Sequence, residues 1–140
     1  MGFSTTRRVL ASVVSLALLG VVPGAAIAEV KTIHAVEVQD GDGYTRILLR
    51  GAEDAVYTAF LREDPPRLIV ELPDAVFEGV STPIQVGNGL VQDVTLGAFG
   101  DPKADHAMAR VSIALAQVAD YEVVPEGDVI SPKFWSPSAW

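Results

Sequence analysis

Residues 64–73, Asp64-Pro65-Pro66-Arg67-Leu68-Ile69-Val70-Glu71-Leu72-Pro73, constrain the fold more than any other stretch of this chain. Two adjacent prolines remove two backbone donors and block helix, so a strand has to begin directly after them. From Arg67 the residues alternate, with Leu68, Val70 and Leu72 on one face and Arg67, Ile69 and Glu71 on the other. The outer face of this strand thus carries both a guanidinium and a carboxylate.

The same period of two recurs along the chain. It predicts strands over residues 31–39, 44–50, 56–62, 67–72, 90–98, 107–115 and 121–125, with turn residues between them and no amphipathic helix of useful length. Asp40-Gly41-Asp42-Gly43 and Gly87-Asn88-Gly89 read as hairpin turns, because their glycines supply positive φ. Residues 100–105 read as a polar loop. The chain also repeats itself weakly. Arg46-Ile47-Leu48-Leu49 precedes Tyr57, and Arg110-Val111-Ser112-Ile113 precedes Tyr121, with eleven positions from Arg to Tyr each time. Two such strand–strand–strand copies, each forming a small sheet, would bury a common core between them. The expected fold is therefore all-β, a small sandwich of two packed antiparallel sheets with internal pseudo-symmetry.

The ends read differently. Arg7 and Arg8 precede an apolar run over residues 9–22, and Ala26-Ile27-Ala28 supplies a small-x-small cleavage pattern. Residues 1–28 are expected to be a cleavable signal peptide for export to the periplasm or cell envelope, with the mature chain starting at Glu29 and no membrane span after cleavage. Sec and twin-arginine routes both fit Arg7-Arg8. Removing 28 of the 140 residues leaves 112, enough for one small domain over residues 29–130. From Ser131 to Trp140 two prolines, three serines and two tryptophans show no clear period, and residues 131–140 are expected to form an irregular tail or linker stub. There is no cysteine, so stability has to come from strand pairing and apolar burial. All 18 acidic residues follow residue 28, against eight of the ten Lys and Arg. That excess of negative charge excludes nucleic acid or an anionic membrane as a bulk electrostatic partner.

No catalytic constellation is legible. Ser112 lacks a nucleophile elbow, and His34 and His106 lack metal-ligand spacing. His34, beside alternating apolar positions, is expected to be a partly buried structural residue, and His106 a solvated one. Turn chemistry accounts for Asp40 and Asp42 without calcium, since the loop does not fit a calcium-binding template. The expected catalytic set, metal set and cofactor are all none. What remains is the outer faces. Alternation turns Tyr44, Arg46, Leu48 and Arg50 outward on one strand, Arg67 and Glu71 on a second and Arg110 on a third. A planar guanidinium binds carboxylates with two hydrogen bonds, whereas cross-strand pairing of these charges would merely solubilise the sheet.

Three stretches together resemble the AMIN domain, a small non-catalytic module of periplasmic cell-wall amidases and PilQ-type pilus secretins. They are Gly43-Tyr44-Thr45-Arg46-Ile47-Leu48-Leu49, Tyr57 through Pro73, and Ala109-Arg110-Val111-Ser112-Ile113 with Tyr121. The family often has Asp where this chain has Glu71. The resemblance implies two small sheets packed face to face and a module that binds peptidoglycan, localising its protein in the envelope. It makes Tyr44, Arg46, Arg67, Glu71 and Arg110 the candidate peptidoglycan contacts. It places the chain as the N-terminal part of a type IV pilus secretin-like protein. The alternatives are a docking module for envelope or pilus-assembly proteins and the targeting domain of an amidase whose catalytic domain is absent.

Overall fold

The computed structural model describes residues 30–100 and 107–136, and every regular element among them is a strand. The signal peptide read over residues 1–28, the residues of the polar loop from 101 on, and His106 lie outside the described residues. In chain order the strands are β1 (Lys31–Ile33), β2 (Ala35–Gly41), β3 (Tyr44–Arg50), β4 (Thr58–Glu63), β5 (Pro66–Pro73), β6 (Ala75–Phe77), β7 (Ile84–Gln85), β8 (Val91–Phe99), β9 (Met108–Leu115), β10 (Asp120–Glu126) and β11 (Val129–Trp135). They form an antiparallel five-stranded sheet in the order β4-β5-β9-β8-β7 and an antiparallel four-stranded sheet in the order β10-β11-β3-β2. The two sheets pack face to face as an all-β sandwich, with β1 and β6 as a short parallel pair beside them.

Alternation decides what lies between the sheets. From the five-stranded sheet come Leu68, Val70, Leu72, Val91, Val94, Val111 and Ile113; from the four-stranded sheet come Ile47, Leu49, Ile130 and Phe134. All are fully buried or nearly so, each contributing about 1.5–3 kcal/mol of apolar transfer. Six of the seven expected strands form within two residues of their expected ends. Asp64-Pro65 makes the two-residue turn that closes β4 onto β5, with Glu63 paired to Pro66, so the proline run does start a strand. Asp42-Gly43 likewise closes β2 onto β3, with Gly43 at φ 84°. The Gly87-Asn88-Gly89 turn closes β7 onto β8, and its two glycines have positive φ.

Three expectations need correction. The strand expected over 31–39 is divided at His34. Residues before it pair with β6 and residues after it with β3, so His34 sits exposed at the crossing rather than partly buried. The chain does not become irregular at Ser131. Val129–Trp135 is a strand between β10 and β3, with Ile130 and Phe134 in the core. Finally, the two copies of the repeat do not each make a sheet. The β2–β3 hairpin of the first copy pairs with the β10–β11 hairpin of the second, and the β8–β9 hairpin of the second pairs with the β4–β5 hairpin of the first. Each sheet takes one hairpin from each copy, which ties the halves together through backbone hydrogen bonds as well as through the core.

Candidate functional site

The outer face of the five-stranded sheet is a grid set by register. One row runs Thr58, Glu71, Arg110, Gly97; the next runs Phe60, Ile69, Ser112, Thr95; the third runs Arg62, Arg67, Ala114, Asp93. Ile69 therefore sits mid-sheet between Phe60 and Ser112, and it is only 6% exposed although it points away from the core. Over this middle row lies a groove of about 430 Å³, lined by Arg62, Asp64, Pro65, Arg67, Ile69, Thr95, Arg110 and Ser112. Ile69 forms an apolar floor, and the Ser112 and Thr95 hydroxyls continue it across the sheet. Arg62 and Arg67 stand at one side, Arg110 at the other. Four residues of strand separate Arg67 from the Glu71–Arg110 row, a span of about 13 Å.

Arg110 is held in place from two sides. Its Nε and Nη2 donate to one oxygen of Glu71 at 3.0 and 2.6 Å, and its guanidinium lies 4.7 Å from the centroid of the Phe99 ring. Gly97 opposite Arg110 has no side chain, and that leaves room for the Phe99 ring to fold over it. Glu71 thus acts on Arg110. Its pairing matches the cross-strand alternative of the sequence reading, and at 41% and 21% side-chain exposure the pair itself is worth only about 0–1 kcal/mol.

Arg62 and Arg67 are a different case. They lie directly opposite one another on β4 and β5, and neither guanidinium makes an ion pair or hydrogen bond with any described residue. Like charges opposed in this way destabilise a sheet. Asp64 lines the same groove without pairing to either of them.

The other two candidates are elsewhere. Tyr44 and Arg46 face outward from β3, in the four-stranded sheet, and so lie on the opposite side of the sandwich from Arg67, Glu71 and Arg110. Arg46 donates to Gln39 at 3.3 Å and stands opposite Lys133 across the β3–β11 pair. The Tyr44 ring collects both cations, with Lys133 Nζ at 4.6 Å and the Arg46 guanidinium at 5.6 Å from its centroid. It also covers Gly41, where a Cβ would overlap it. The five candidates therefore form two groups on two faces.

Sequence reasoning missed Arg62, Ser112 and Thr95 as groove residues, and Lys133 on the far face. In β4 the apolar Phe60 stands between Ala59 and Leu61, so alternation alone does not say which way Arg62 points. Lys133 fell in the stretch read as tail. No cluster of three or more potential metal-ligating side chains occurs among the described residues. The turn carboxylate of Asp40 accepts hydrogen bonds from Asn88 and Thr45.

A family model described as the AMIN domain matches residues 35–133, which takes in β2 to β10 whole and β11 up to Lys133. Comparison with curated proteins finds no match. The family is a non-catalytic module of the periplasmic envelope, found in secretins and amidases. Among the described residues no helix is long and apolar enough to cross a membrane.

Proposed function

The chain belongs to the AMIN domain family, and from that premise we propose that it is a peptidoglycan-binding module that localises its protein in the cell envelope, as part of a type IV pilus secretin-like protein. One observation carries the reading: in a chain with a formal charge of −8, two guanidiniums that pair with no described residue oppose each other at the edge of an open groove. An electrostatic cost of that kind is recovered when an anion or hydrogen-bond acceptor of the ligand bridges the two. Arg67 and Arg62 are the contacts with ligand, Arg110 closes the other side, and Glu71 orients Arg110. Tyr44 and Arg46 offer a separate contact on the opposite face.

The test is co-sedimentation with purified murein sacculi. The purified chain pellets with sacculi, and Arg67→Ala, shown to be folded by circular dichroism, pellets several-fold less. A chain that stays in the supernatant overturns the reading, and wild-type pelleting by folded Arg67→Ala removes Arg67 from the site. Recovery of a stoichiometric envelope protein without murein would replace it by a protein-docking role.

A further inference from the structure

We propose that the groove reads the free carboxylates of peptidoglycan's stem peptides and not its glycan strands; this rests on the peptidoglycan reading above. The lining residues decide between the two chemistries. A pyranose presents C–H faces that stack on flat aromatic rings, and none of the groove's lining residues is aromatic. The Phe60 ring, 39% exposed opposite Ile69 in the same row, lies outside that lining, and the Phe99 ring has the Arg110 guanidinium over one face. What the groove does offer is donors. Two guanidiniums without a side-chain partner among the described residues face each other at one side, and the Ser112 hydroxyl lies along the floor, while the Thr95 hydroxyl donates to Asp93 at 3.4 Å. The Arg110 guanidinium spends Nε and Nη2 on Glu71, and Nη1 has no hydrogen-bond partner among the described residues. Guanidiniums in this setting match a carboxylate's two coplanar oxygens better than they match scattered hydroxyls.

Ile69 on the floor suits the aliphatic part of an extended peptide, and the span of about 13 Å between the two arginine sides matches roughly four residues of extended chain. Asp64 refines the specificity. Its exposed carboxylate at the groove lining repels a densely anionic polymer, while it tolerates a ligand whose few carboxylates settle on the arginines.

The two charge types give opposite signs to test. Isothermal titration of the purified chain uses three probes: a synthetic stem peptide with free carboxylates, the same peptide with those groups as carboxamides, and, as the bare glycan, a β-1,4-linked N-acetylglucosamine oligosaccharide, which has no carboxylate. The free-acid peptide binds, the carboxamide form binds about tenfold or more weakly, and the bare glycan gives no heat. Arg62→Gln and Arg67→Gln each weaken the free-acid peptide several-fold, whereas Asp64→Asn tightens it. With no ligand, Arg62→Gln raises the melting temperature by about 1–4 °C, since it removes a like-charge pair; a residue of purely structural value would lower it. Binding of bare glycan as tight as that of the peptide, or equal binding of acid and carboxamide peptides, overturns the inference while leaving sacculus binding intact. Failure of the chain to pellet with sacculi overturns the peptidoglycan reading itself.

Discussion

At Asn88 a single side-chain amide joins the two sheets. Its Oδ1 accepts from the backbone N–H groups of Leu90 and Val91 at 3.0 and 2.9 Å, which shapes the turn into β8. Its Nδ2 donates to Asp40 Oδ1 at 2.5 Å and to Thr45 Oγ1 at 2.7 Å, reaching the β2–β3 hairpin of the other sheet. Thr45 is only 2% exposed, so its hydroxyl depends on this neighbour. Asn88→Ala removes all four bonds and leaves a buried hydroxyl with Asp40 as its one remaining partner. The expected loss is about 1–3 kcal/mol, read as a lower urea midpoint with an unchanged m-value. An unchanged midpoint would show that water replaces the amide at no cost. In the sequence Asn88 was legible only as a turn residue between two glycines, because what it reaches lies 43 and 48 residues away. The same limit applies at the candidate site. That Arg67, Glu71 and Arg110 point outward follows from alternation, but that Glu71 is spoken for by Arg110 while Arg67 faces Arg62 depends on strand order and register.

Strand β11 shows how one residue type can hide an element. Residues 130–135 do alternate: Ile130, Pro132 and Phe134 are buried on the inner side, while Lys133 and Trp135 are half-buried on the outer side, where Ser131 is buried as well. A proline in a run argues against a central strand, because it cannot donate to a ladder. Here the ladder to β10 is continuous, while the pairing with β3 skips Ser131 and Pro132, and the Ser131 hydroxyl donates to the Val124 carbonyl at 3.3 Å. The missing donor is thus placed where the β3 pairing is already interrupted. Strands without such an exception, such as 44–50, were legible to the residue. The prediction at this scale concerns Phe134, fully buried between the sheets. Phe134→Ala should destabilise by about 3–5 kcal/mol, a large share of the roughly 5–15 kcal/mol typical of a domain. A chain ending at Ile130 leaves β3 and β10 without their shared neighbour and should give no cooperative urea transition. Cooperative unfolding of that shortened chain, with a wild-type midpoint, would show that β11 is dispensable.

On the scale of the whole molecule, the interleaving of the two copies sets what the module can touch. Arg46 and Arg110, equivalent residues of the repeat, lie on strands in the middle of opposite sheets and point away from each other. The repeat was legible in the sequence, but its consequence was not: exchanging hairpins between copies is a matter of long-range pairing that local spacing does not encode. A compact ligand can occupy the groove face or the Tyr44–Arg46 face, never both. A polymer mesh can engage both at once, and two linked weak contacts then multiply through effective concentration. Arg46 is therefore expected to matter for sacculi and not for a free peptide. Arg46→Ala should reduce pelleting with sacculi while leaving the titration of the soluble stem peptide at the wild-type affinity, since the substitution is on the far side of the sandwich. Arg46→Ala combined with Arg67→Ala should pellet less than either single variant. Wild-type pelleting by a folded Arg46→Ala would confine peptidoglycan contact to the groove face, and weaker peptide binding by that variant would show that the two faces are coupled through the core.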